Sequence, residues 1–150
     1  MMDIPQDAVE LANLSRRLLR CAADANIVGS DPKDELAINP IYADLARREL
    51  RLRQQRGSLF NTQIFGEPAW EILLAAFVAR YDGVPLMTTA ACAHANVPQT
   101  TGLRYVRHLI ELQLINKAKN SPDGRVSNLE ITDIGLAKIN RYYELLIIRE

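Results

Sequence analysis

Thr100, Thr101, Arg104 and His108 lie close together in the stretch PQTTGLRYVRHLIE. Short hydroxyls, a guanidinium and an imidazole are the groups that read base edges and hold phosphates. With Leu103 set at zero and 100° per residue, Val106, Leu109 and Ile110 fall on one side of a helix, and Thr100, Thr101, Arg104, His108 and Glu111 on the other. Arg104 is the candidate for a bidentate contact to guanine. Thr100 and Thr101 sit near the helix N-terminus, where orphan amides also face an anion, and are candidates for phosphate or base-edge contact. His108, one turn on, is a candidate for phosphate. Thr88 and Gln99, at the starts of two successive helical segments, complete the helical part of the set. Arg107 lies on the flank, where Glu111 at i+4 can pair with it, and Tyr105 is on the other flank as a packing residue. The competing account of the whole face is a solvated surface.

The elements that must position these groups follow in order. Pro68 opens a helix, PAWEILLAAFVARYD, that Gly83 closes; Trp70, Leu73, Leu74, Phe77 and Tyr81 recur at helical spacing and predict core. Thr88 can cap a short helix, TAACAHA, whose small residues allow close helix packing. Ala95-Asn96-Val97 then turns the chain, and Pro98 sets the start of the helix that carries Arg104. After Leu114 and Ile115 the period changes to alternation: INKAK, a turn SPDGR and VSNLEIT predict a β-hairpin. At the tip of that hairpin Arg125 could enter a minor groove with Asp123 orienting it, while Lys119 would touch the backbone; a solubilising hairpin tip explains the same residues. Thr132 or Asp133 caps a final, broadly apolar helix, ITDIGLAKINRYYELLII, which wants a partner such as a second subunit.

Helix, turn, helix and hairpin in this order predict a winged helix-turn-helix, in which the second helix, residues 98–112, enters a major groove and the wing, residues 116–131, lies near the minor groove. The order, together with Asp123-x-Arg125 at the wing tip and Ile131-Thr132 followed by Gly135, resembles the MarR-like winged-helix transcription regulators over roughly residues 66 to 147. The resemblance implies a homodimer built from terminal helices and bound to double-stranded DNA. Two departures stand out. The family usually has Gly where Gln113 ends the recognition helix, and a non-Gly residue there costs about 1 kcal/mol, which the turn can carry. Asn116 also stands where a basic residue is usual, so the wing carries less charge.

The N-terminal part is less informative. Leu11, Leu14, Leu18, Cys21 and Ala25 form a short heptad-like seam from about Pro5 to Asp24, which suits packing on its own domain or an intersubunit contact equally. Residues 26 to 39 predict a linker. Asn39-Pro40 starts a second helix that is expected to end at Gly57, with Ile41, Leu45 and Leu52 as a partial stripe. Its arginines, Arg47, Arg48, Arg51, Arg53 and Arg56, share no face and suit solvent, a subunit bridge or phosphate.

Net charge is zero, which argues against non-specific coating of nucleic acid, yet residues 44–66 and 86–127 each carry +3. The first residues are acidic with no apolar core for a signal, and no window approaches 18 apolar residues, so export and a membrane span are not expected. Two distant cysteines suit reduced thiols in a cytoplasm. His94 and His108 lie 14 positions apart with no carboxylate or cysteine at ligand spacing, and no GxSxG, P-loop or GxGxxG occurs. No metal, cofactor or catalysis is expected. The resulting expectation is a mainly α fold with a small β-hairpin wing (α+β). Residues 1–60 would form a helical N-terminal extension, or dimerisation arm, and residues 61–150 the winged helix. It would regulate transcription as a homodimer, with a small-molecule effector accommodated in an apolar cleft near Trp70 and Tyr81. The alternative is a protein-interaction adaptor or antirepressor that binds no DNA.

Overall fold

The computed structural model describes residues 37–61, 64–118 and 127–148. The seam from Pro5 to Asp24 and the wing-tip residues Lys119, Asp123 and Arg125 lie outside the described residues. The chain divides into two compact units. One is Ile38–Asn140; of the other, Ala37 and Arg141–Ile148 are described.

The larger unit begins with α1 (Pro40–Phe60) and α2 (Pro68–Asp82), followed by β1 (Leu86–Met87), α3 (Thr88–His94), α4 (Gln99–Glu111), β2 (Ile115–Lys117) and β3 (Asn128–Ile131). Helix α5 (Asp133–Ile148) starts in it. Asn39 caps α1 as expected, its side-chain oxygen accepting from the Ile41 N–H at 3.0 Å with Pro40 in the first turn. The helix does not stop at Gly57. It runs one turn further, to an Asn61 at φ 48° whose N–H reaches the carbonyls of Gly57 and Ser58. Glycine inside a helix costs only about 1 kcal/mol, and an Asn that adopts the left-handed conformation supplies the stop instead. The buried face of α1 is Tyr42, Ala43, Ala46 and Leu50, not the expected Ile41, Leu45 and Leu52; Leu52 is exposed.

That face lies on α2, which also meets α3, α4 and β3. Helix α2 is enclosed nearly all round: Glu71 through Phe77 and Ala79 are buried, with Ile72, Leu74 and Phe77 wholly inaccessible. A helix with apolar residues on every side is the one around which a small domain packs. The expected stripe is therefore correct for Leu73, Leu74 and Phe77. Tyr81 departs from it and stands on the surface.

The wing belongs to a three-stranded antiparallel sheet of order β1-β3-β2. β3 pairs Leu129 with Leu86 on one edge and Ile131 with Ile115 on the other, and these four residues face the core. The added strand, β1, has two residues, too few for alternation to reveal. Thr132 is the cap of α5. Its hydroxyl accepts from the Gly135 N–H at 3.0 Å and donates to the Gln113 carbonyl at 2.6 Å. At Gly135 a Cβ would lie 2.3 Å from the carbonyl oxygen of Leu114, so glycine is required where α5 crosses the end of α4. In the first half of α5, Leu136 and Ile139 are buried in the larger unit. In the second half Tyr143 is buried, and Tyr142 meets it edge to face at 5.1 Å. Among the described residues no helix is long and apolar enough to cross a membrane.

Candidate nucleic-acid interface

Helices α3 and α4 make the helix-turn-helix. The turn between them contains Asn96 at φ 49°, and Pro98, extended at φ −51° and ψ 141°, delivers the chain into α4. The two helices cross closely because Gly102 has no side chain: a Cβ there would sit 2.7 Å from the Cys92 sulfur and 2.8 Å from the Cys92 Cβ. Gly102, Val106 and Leu109 are the buried residues of α4. Of the expected apolar face Val106 and Leu109 are buried and Ile110 is half-buried, while Leu103 is 40% exposed and marks the edge of the outward surface. A pattern based on side-chain hydropathy gives Gly102 no weight, although it makes the tightest contact. Cys92 is free and buried, and burial pushes its thiol pKa up, so it is a packing residue.

At its C-terminus α4 ends as expected. Gln113 takes φ 60°, its N–H donates to the Ile110 carbonyl at 2.9 Å, and the Leu114 N–H reaches the Leu109 carbonyl at 3.0 Å. This paired 5→2 and 6→1 arrangement is the usual helix stop with Gln in place of Gly. Ile115 then enters β2.

The outward face of α4 carries Gln99, Thr100, Arg104, Arg107 and His108, all exposed, with Thr101 half-buried. Among the described residues no side-chain hydrogen bond or ion pair engages Gln99, Thr100, Thr101, Arg104 or Arg107. No side chain caps the first turn of α4 either, so its leading amides have no side-chain acceptor. His108 Nδ1 lies 3.2 Å from Glu111 Oε2. The expected Arg107–Glu111 pair is therefore not made, and Arg107 is left on the outward face. Thr88 is not a cap. Its hydroxyl and its N–H both donate to the Ser127 carbonyl, at 2.7 and 2.9 Å, which fastens the start of α3 to the base of the wing. The structure thus gathers Gln99, Thr100, Thr101, Arg104 and His108 on one helix and ties Thr88 to the wing beside it.

The arginines of α1 have a different environment. Arg47 pairs with Asp44 and, across to α2, with Asp82, and its guanidinium lies 5.4 Å from the centre of the Tyr81 ring. Arg53 binds Glu49 through Nε and Nη2 at 3.1 and 2.9 Å and also pairs with Glu67; Glu49 in turn accepts from the Trp70 indole N–H at 2.7 Å. Desolvation alone would lower the Arg53 pKa, but the hydrogen bonds and charges of Glu67 and Glu49 outweigh it and hold the group above its ordinary value. Arg56 donates to the Phe65 carbonyl at 2.5 Å. Trp70 and Tyr81, expected beside an effector cleft, are thus both engaged by α1. Arg48 and Arg51 remain exposed.

Helix-turn-helix, three-stranded wing sheet and a following helix define a winged-helix fold. No protein-family model matches the chain, and no curated protein matches it in sequence. Among solved structures, AF1382 from Archaeoglobus fulgidus is similar at 20% identity over 63% of this chain and 97% of its own, with a TM-score of 0.48. MepR of S. aureus, in a DNA-binding conformation, is 14% identical over 71% of this chain and 74% of its own, with a TM-score of 0.47. The adhesin competence repressor AdcR of Streptococcus pyogenes is 16% identical over 69% and 75% of the two chains, with a TM-score of 0.41. These likenesses are remote.

Proposed function

We propose that the protein is a sequence-specific DNA-binding transcription regulator that acts as a homodimer. The observation that carries this reading is the outward face of α4: hydroxyls, an amide and two guanidiniums that have no side-chain partner among the described residues, on a helix seated by the Gly102–Cys92 contact and closed by the backbone stop at Gln113. Side chains in that state are available to base edges and phosphates without first breaking a contact. Arg104 reads guanine, Gln99, Thr100 and Thr101 contact the groove edge near the helix N-terminus, and His108 approaches phosphate. Lys119, Asp123 and Arg125 place the wing against the adjoining minor groove, with Thr88 fixing its base.

A homodimer would set two copies of α4 about 34 Å apart, on successive turns of a pseudo-palindrome. The exposed Leu145, Leu146 and Ile148 of α5 support such a contact, since apolar side chains in this density on one helix end favour a partner. A small-molecule effector would act by shifting the spacing of the two reading helices. Nothing in the arrangement of α4 calls for catalysis.

Fluorescence anisotropy of the protein on duplexes from upstream of its own coding sequence, at low and physiological salt, tests this reading. Selective binding is expected, with a loss of about 1–3 kcal/mol in Arg104→Ala. Binding no better than to random DNA, with Arg104→Ala matching wild type, would replace the regulator with a protein-interaction adaptor.

A further inference from the structure

We propose that Arg107 is a second base-reading residue, so that each half-site holds two guanines in neighbouring base steps, one for Arg104 and one for Arg107. The inference rests on the DNA-binding reading above and goes further by naming the chemistry of the site. Its first support is the fate of Glu111. This carboxylate, the only acid on α4, sits 3.2 Å from His108 Nδ1 and does not hold Arg107. The second is exposure without engagement: Arg107 is on the surface, and among the described residues no acid or carbonyl takes its guanidinium, whereas Arg47, Arg53 and Arg56 are all held.

The third support is direction. At 100° per residue the buried trio Gly102, Val106 and Leu109 fixes the inward direction of α4. Arg104 and Arg107 both lie within about 50° of its opposite, while Leu103 stands roughly at right angles to it. Three residues apart, the two arginines differ by about 60° around the axis and about 4.5 Å along it. Stacked bases rise by about 3.4 Å, so a helix lying along the groove presents the two guanidiniums to adjoining steps. A guanidinium is a planar fork matched to guanine O6 and N7, and a residue on the groove side of the helix meets base edges before it meets phosphate.

The test starts from duplexes that the wild-type protein enriches from a random pool. Each guanine is replaced in turn by 7-deazaguanine, which keeps its pairing and loses the N7 acceptor. Wild type should lose about 5- to 150-fold at two guanines in each half-site. Arg104→Ala should become indifferent to one of them and Arg107→Ala to the other. Arg107→Lys keeps the charge but not the fork. It should retain the wild-type salt dependence and still lose the second discrimination. Circular dichroism of each variant confirms that α4 is retained. Sensitivity at fewer than two guanines, or both sensitivities surviving in Arg107→Ala, overturns the proposal and leaves the DNA-binding reading intact. If wild type enriches no sequence and Arg104→Ala behaves identically, both readings fall.

Discussion

Helices α1 and α4 both carry arginines, and they use them in opposite ways. On α1, Arg47 bridges Asp44 and Asp82 under a stacked Tyr81, Arg53 joins Glu49 and Glu67, and Arg56 holds a carbonyl. These three bind α1 to α2 and the turn between them. On α4, Arg104 and Arg107 touch no acid among the described residues. Three of the five guanidiniums of this arginine-rich segment are thus already engaged, two of them by acids, and that makes it a poorer surface for an anion than α4. The density of positive charge along a sequence says little about where an anion binds; the placement of the compensating acids decides it.

The contrast can be broken by disturbing the frame that aims α4. Gly135→Ala would drive a methyl to 2.3 Å from the Leu114 carbonyl, directly beneath the end of α4. Overpacking against backbone costs about 3 kcal/mol, at the high end for such changes. Urea unfolding should show that loss, and DNA affinity should fall although every arginine remains. A next test unties α1 instead. Glu49→Ala removes the acceptor of the Trp70 indole N–H and one of the two carboxylates held by Arg53, for an expected loss of about 2 kcal/mol. Trp70 is the single tryptophan of the chain, so its emission should shift as well. DNA affinity should not change under conditions where the variant is folded. Arg47→Ala should cost less, about 0.5–1 kcal/mol, because its partners are substantially solvated and screened. If α1 contacted phosphate through Arg47, the salt dependence of binding would drop in this variant; the ion pairs argue that it does not.

Much of this architecture was legible in the sequence. Asn39-Pro40, Gly83 and Thr132 punctuate the chain with their own local chemistry, so the order of the helices and the winged-helix class followed from them. What escaped was non-local. Strand β1 is two residues long and exists because β3 accepts it at Leu86 and Met87. The face of α1 was misplaced because Ala43 and Ala46 bury fully while scoring low, and Tyr42 buries its ring despite a polar tip. On α4 Val106 and Leu109 were legible and Gly102 was not, since it packs on Cys92 with no side chain to register. Within the candidate site, Arg104 and the threonines stood out by type and spacing. Arg107 did not, because an i+4 acid offered an equally good local partner and only the structure shows that His108 takes it.

The smallest expected effect sharpens the comparison at the junction of α4 and the wing. Gln113 occupies φ 60°, where an L side chain meets the following carbonyl and costs about 1 kcal/mol relative to glycine. Gln113→Gly removes that strain but gives the unfolded chain more freedom, which offsets part of the gain. A net stabilisation of about 0.5 kcal/mol, roughly 2 °C in Tm, is expected. The bonds from the Gln113 and Leu114 amides to Ile110 and Leu109 use backbone only and survive the change. Gln113 lies beyond the last residue of α4, so DNA affinity should be unchanged. Asn96, at φ 49° in the turn before α4, is the internal control: Asn tolerates this conformation far better, so Asn96→Gly should gain nothing. Destabilisation by Gln113→Gly, measured in the same thermal scan, would show that the side chain itself anchors the end of α4, and the frame would then depend on more than backbone geometry.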